Sequence, residues 1–191
     1  MPQKGSQFER QICVSLSKWW TRDPSNDGVF WRSTTSGARA TTRAKKGKKT
    51  AGQYGDITAI DPAGKDLMAL VTMELKRGYP RSSIHDCLDR GTAGAINAFE
   101  KWIKQAQKAS DSAGTPYWWL ITRKDRREAI LWMPLKMYQQ LHRWSAPPLS
   151  EVYHVQLQIR SIQPAIVGIP FELFVKKVPS RVVQALAIEI T

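Results

Sequence analysis

Asp56, Glu74 and Lys76 are the side chains whose types and spacing could do chemistry together. Glu74 and Lys76 stand two apart in the run Leu70-Val71-Thr72-Met73-Glu74-Leu75-Lys76. Alternate residues of a strand share one face, so acid and amine project the same way with Leu75 behind them. Asp56 opens an earlier run, Gly55-Asp56-Ile57-Thr58-Ala59-Ile60, and Asp61-Pro62-Ala63-Gly64 lies between the two. Two alternating runs around a Pro/Gly turn predict a hairpin that returns Asp56 to the acid–lysine pair. Mg²⁺ takes hard oxygen ligands and keeps several waters. Asp56 and Glu74 would supply two carboxylates, and the backbone carbonyl of Leu75 a third oxygen. Water on such an ion has a lowered pKa and can attack phosphorus. Lys76 would orient that hydroxide or stabilise charge developing on phosphate. The alternative open at this point is a solvent-facing edge strand that carries the same pair without chemistry.

The charge balance says what such a site would meet. Lys and Arg total 29 against 16 acids, a net charge of +13, which favours a polyanionic partner, most often nucleic acid. Arg39, Arg43, Lys45, Lys46, Lys48 and Lys49 fall in one Gly/Thr/Ala-rich segment with no acid. That composition predicts a mobile cationic loop just before Asp56, placed to grip phosphate held there. The 191 residues suffice for one domain with a real core. No apolar run reaches about 18 residues, and the N-terminus has no signal-peptide core, so no membrane partner and a cytoplasmic location are expected. Cys13 and Cys87 are too few for a disulfide scaffold or a four-ligand zinc site and read as reduced thiols. His85, His142 and His154 have no ligand spacing to one another.

The elements that must position the site follow from periodicity. Ser6 to Trp20 reads as a helix, with Phe8, Ile12, Leu16 and Trp19 on one face. Ser6 with Glu9 three residues on is a capping-box pattern, so Glu9 either caps the helix or is a third acid near the metal. Val29–Thr34 reads as a strand, followed by a long loop to Tyr54. Ile84–Leu88 suggests one helical turn, and Ala95–Ser110 a helix with Ile96, Phe99, Ile103 and Ala106 on one face and Trp102 and Gln105 beside it. Tyr117–Thr122 and Ala129–Met133 read as strands joined by the basic loop Arg123–Arg127. Pro134–Trp144 reads as a helix with proline at its start, and Glu151–Ile159 as a strand; the remaining tail is unassigned. Trp19, Trp31, Trp118 and Trp132 sit where core faces are expected. The order predicts an α/β fold: a central mixed β-sheet flanked by helices, with residues 145–191 as a C-terminal extension packed on the domain of residues 1–144.

Taken in order, the chain presents Lys4-Gly5-Ser6-x-Phe8-Glu9-Arg10 on a first helix, Trp31-Arg32-Ser33 on a strand and Ser36-Gly37 in a loop. Gly55-Asp56-Ile57 and Glu74-Leu75-Lys76-Arg77 follow. This constellation resembles the PD-(D/E)xK nuclease superfamily, and within it looks most like the archaeal Holliday junction resolvases and related phage-encoded endonucleases. The resemblance covers residues 4–135. It implies a restriction-endonuclease-like core and a Mg²⁺-dependent DNA endonuclease, with Mn²⁺ as a substitute, that leaves a 5′-phosphate. Residue by residue, Glu9 matches the helix-one acid that assists metal binding, Asp56 and Glu74 the two metal-ligating acids, and Lys76 the motif lysine. Arg32 and Ser36 match positions near the scissile phosphate, Gln105 a glutamine at the site edge, and Arg77 extends the set toward DNA. Gly55 stands where the superfamily nominally has proline, and the insertion between Arg32 and Asp56 is longer and more basic than in compact resolvases. Branched, recombination-type DNA is the implied substrate, and a homodimer would suit two symmetric cuts. The alternatives are an enzyme of this core acting on linear, nicked or single-stranded DNA, and a non-catalytic DNA-binding protein.

Overall fold

A computed structural model describes residues 4–33, 54–78, 97–145, 152–159 and 161–190. The first helix, α1, spans Lys4–Thr21, and its expected stripe of Phe8, Ile12, Leu16 and Trp19 is buried. Helical spacing of large apolar residues thus sets which side of α1 meets the core. The helix begins two residues ahead of the expected Ser6 cap.

Strand β1 (Phe30–Arg32) pairs antiparallel with β2 (Ile57–Ala59) in a small two-stranded sheet, with Arg32 opposite Ile57. The expected hairpin between Asp56 and Lys76 does not form. After β2 comes a 3₁₀ turn, Pro62–Gly64, capped by the Asp61 side chain accepting from the Ala63 N–H. A short helix, α2 (Lys65–Leu70), follows and leads directly into β3 (Val71–Arg77). Leu67 and Leu70 are three apart, which is helical spacing, and both are buried; the strand period begins only at Val71.

The central sheet has five strands in the order β3-β4-β5-β7-β6. Its members after β3 are β4 (Tyr117–Arg123), β5 (Ala129–Pro134), β6 (Val155–Leu157) and β7 (Ile166–Pro170). The β3–β4 pair is parallel and the other pairs are antiparallel. A parallel pair needs a crossover, and helix α3 (Ala98–Ala113) lies within it. Asn97 caps that helix by accepting from the Glu100 N–H, and Gly114 closes it in the left-handed conformation. The Arg123–Arg127 segment does join an antiparallel β4–β5 pair, as the sequence predicts.

Helix α4 (Leu135–Trp144) follows β5, and α5 (Phe171–Lys177) and α6 (Ser180–Ile190) follow β7. One face of the sheet packs against α1, α4, α5 and α6, where Trp19, Trp119, Phe171, Phe174 and Leu186 share a core. Trp119 lies 6.4 Å from Trp19 and 5.5 Å from Phe174, ring to ring. The other face packs against α3 through Phe99, Ile103, Trp118 and Trp132. The tail, left unassigned by periodicity, thus supplies a strand inside the sheet. Gly168 on β7 makes this possible: a Cβ there would lie 2.4 Å from the Trp132 ring. Trp19, Trp118 and Trp132 are buried as expected, but Trp31 is not; it is 41% exposed on the small sheet. Among the described residues no helix is long and apolar enough to cross a membrane.

Candidate active site

Strand β3 forms one edge of the five-stranded sheet and carries both members of the acid–lysine pair. Their shared face is the one toward α3. There the Glu74 Oε2 accepts from Gln105 Nε2 at 2.8 Å and lies 3.4 Å from Lys76 Nζ. Glu74 is only 5% exposed. The strand period places Lys76 beside Glu74, and the helical period of α3 turns Gln105 down onto the same spot.

Asp56 reaches this pair from the chain segment before β2 and is held mainly by backbone. Its N–H donates to the Met73 carbonyl at 2.7 Å, and its carbonyl accepts from the Ser33 N–H at 2.9 Å. Its Oδ2 accepts from the Leu75 N–H at 2.8 Å. The approach depends on Gly55, which has φ +80° and whose missing Cβ would lie 2.5 Å from the Met73 carbonyl oxygen. Proline, with φ locked near −65°, cannot take that conformation, so the departure from the nominal proline has a local cause.

A buried and a half-buried carboxylate beside one another disfavour double ionisation. Burial, then repulsion from Asp56, pushes the Glu74 carboxyl up to about 7, against the pull of Lys76. Burial also raises Asp56 above the usual carboxylate range, opposed by the Leu75 N–H and the Lys76 charge. A divalent cation would relieve both penalties at once, and hard carboxylate oxygens suit one. The donor set fits such an ion in chemistry, with Asp56 and Glu74 as its side-chain members. Among the described residues, no three His, Cys, Asp or Glu side chains gather in a metal-binding group. Glu9 is instead engaged by Arg32, whose Nε lies 2.5 Å from Glu9 Oε2. Neither end of the capping box therefore holds: the helix starts at Lys4 and the Glu9 carboxylate serves an ion pair. Both charges of that pair are felt at Asp56.

The structure thus brings together Asp56, Glu74, Lys76 and Gln105, with Glu9 and Arg32 adjoining. Arg77 sits on the opposite face of β3 and pairs with Asp125, Nε to Oδ1, at 3.8 Å. Ser36, Arg39, Arg43, Lys45, Lys46, Lys48 and Lys49 lie outside the described residues, as do Cys87, His85 and the Ile84–Leu88 turn. Cys13 is buried, its thiol pushed up to about 12 by burial, which leaves it unreactive. The backbone groups of Ser33, Met73 and Leu75 that fix Asp56 escaped the sequence reading. Main-chain hydrogen bonds leave no side-chain signature, and Gly55 was the one residue that marked a close approach.

A family model described as "Phage putative PDDEXK endonuclease" matches residues 2–179. No curated protein and no solved structure matches the chain.

Proposed function

The chain belongs to that phage PDDEXK endonuclease family, and from this premise we propose that it is a Mg²⁺-dependent DNA endonuclease whose substrate is branched, Holliday-junction-like DNA. Nuclease class, DNA as substrate and a restriction-endonuclease-like core come with the family. The metal requirement and the branched substrate are the further reading. The observation that carries it is the buried Glu74 carboxylate meeting the half-buried Asp56 carboxylate beside Lys76 on the edge strand.

Asp56 and Glu74 would hold the ion. The Leu75 carbonyl would join them, because the N–H and C=O of one strand residue point to the same edge and the Leu75 N–H already serves Asp56. A bound divalent ion supplies a Lewis acid and a water of lowered pKa. The Leu75 N–H keeps the Asp56 carboxylate oriented, and Gln105 fixes the Glu74 oxygen that faces Lys76. Lys76 positions the attacking water and stabilises the negative charge that gathers on the phosphate. Arg32, neutralised at rest by Glu9, presents a cation next to Asp56 and is placed to meet a phosphate oxygen. Water adds to phosphorus, the bond to the 3′ oxygen breaks, and that oxygen takes a proton, leaving a 3′-hydroxyl and a 5′-phosphate. Two symmetric cuts across a junction need two such centres, which a dimer would provide.

The test is cleavage of four-way, flap, nicked, linear duplex and single-stranded DNA with Mg²⁺ or Mn²⁺, beside Asp56→Ala and Glu74→Ala. The expected result is cleavage of the four-way junction by the parent and loss of at least about a hundredfold in rate in either variant. Cleavage of linear duplex at the same rate would remove the branched preference. Equal cleavage by parent and variants would overturn the site, and binding without cleavage in either metal would leave a non-catalytic DNA-binding protein.

A further inference from the structure

Away from the carboxylates, α1 and the β4–β5 turn enclose a groove of about 860 Å³. Four arginines line it, Arg10, Arg123, Arg126 and Arg127, against two acids, Glu128 and Glu172. The turn is docked onto α1 by Arg123. Its Nη1 donates to Gln11 Oε1 at 3.0 Å, its Nε donates to the Arg127 carbonyl at 3.0 Å, and its guanidinium lies over the Phe8 ring at 6.0 Å. The groove therefore has a fixed wall.

Its rim carries unneutralised charge. Arg126 and Arg127 are exposed and make no ion pair among the described residues. Arg126 has φ +60°, a left-handed conformation that glycine or asparagine adopts more readily.

The groove opens at the same end of the sheet as the candidate active site, on the α1 side rather than the α3 face that carries Glu74 and Lys76. The parallel β3–β4 register sets Lys76 opposite Thr122 and Arg77 opposite Arg123, and the Gly78 N–H donates to the Arg123 carbonyl at 3.1 Å. The turn thus leaves the sheet at the strand ends that carry Lys76. On the other wall Arg10 follows Glu9 directly, with its guanidinium 6.0 Å from the centre of the exposed Trp31 ring.

We propose that this groove is a phosphate-binding tract for the DNA arm flanking the cleavage site, with Arg126 and Arg127 contacting the backbone. The occupant follows from charge complementarity and from the groove's place at the same sheet end as the cut site, and it rests on the reading of the protein as a DNA nuclease. The test pairs Arg126→Gly with Arg127→Ala, which relaxes the turn while removing both charges, and measures binding of a short labelled duplex without divalent metal over a range of salt. The expected result is affinity weaker on the order of tenfold and a log–log salt slope shallower by about two, one for each lost phosphate contact. Arg126→Lys with Arg127→Lys should keep the parental slope, because charge and not turn geometry sets it. Unchanged affinity and slope in the Gly/Ala variant overturn the groove. Metal-dependent cleavage by the parent is scored separately. If the parent fails to cleave while the slope still drops, the nuclease reading falls and the groove stands.

Discussion

Glu74 is a carboxylate kept where water cannot solvate it, beside a second carboxylate and one lysine. Its raised pKa has a sign that can be checked in the metal-free protein. The folded state holds the Glu74 proton more tightly than the unfolded chain does, whose value is 4.5. The associated stability is present below 4.5 and is lost as pH rises through about 7. Glu74→Gln removes the titration while keeping shape and an acceptor for Gln105. In chelator, thermal denaturation should show the parent losing stability between about pH 5 and pH 8 relative to the variant. At the alkaline end the variant should melt on the order of 5 °C higher. Saturating Mg²⁺ should close that gap by stabilising the parent alone. A constant difference across the pH range would show that Glu74 is solvated in solution and that the pair is not poised for a cation.

At the scale of elements, the site depends on how the segment before β2 is laid against the edge of β3. Asp56 is tied by one side-chain and two main-chain hydrogen bonds, and Gly55 lets the chain come that close. Gly55→Ala would force a Cβ against the Met73 carbonyl in a backbone conformation that L-residues avoid. The expected cost is about 1–3 kcal/mol in urea denaturation, with loss of cleavage because Asp56 is displaced. Gly114→Ala is the control: it also has positive φ, but nothing lies within 4 Å of its missing Cβ. It should cost about 1 kcal/mol and leave cleavage intact. If Gly55→Ala cleaved as fast as the parent, the backbone would not be what positions Asp56. The stretch from Leu67 to Val71 shows why spacing alone predicts a hairpin where a short helix forms. It is a continuous apolar run, and such a run does not by itself say where a helical period hands over to a strand period.

Across the whole molecule, β7 sits between β5 and β6, so residues 145–191 supply two strands of the central sheet. Ile166, Ile169, Phe171, Phe174, Val183 and Leu186 are all fully buried. At about 1.5–3 kcal/mol per side chain, removing them forfeits on the order of 10 kcal/mol, comparable to the whole stability of a domain. Three hydrogen bonds reinforce the link: Trp19 Nε1 donates to the Val178 carbonyl, and Ser180 Oγ and Gln184 Nε2 both donate to the Trp20 carbonyl. A chain truncated after Trp144 should therefore show no cooperative unfolding transition by circular dichroism. A cooperative melt from residues 1–144 would mean that the C-terminal elements dock on a domain already folded.

Features that rest on local period and composition are legible from the order of residues alone. The shared face of Glu74 and Lys76 is a two-residue strand period, the buried stripe of α1 a helical one, and the pull toward a polyanion a matter of counting charge. The same pattern carried the family resemblance and the α/β class. Which distant partner each group meets depends on the folded arrangement. Glu9 had two local readings, and its pairing with Arg32 follows from how β1 lies against α1. Asp56 joins Glu74 through backbone groups of Ser33, Met73 and Leu75, which any residue type could have supplied. β7 enters the sheet because Gly168 clears the Trp132 ring, a fit between residues far apart in the chain. Periodicity is encoded in neighbouring side chains, whereas contacts across the chain depend on main-chain hydrogen bonds and shape, which one-dimensional spacing does not record.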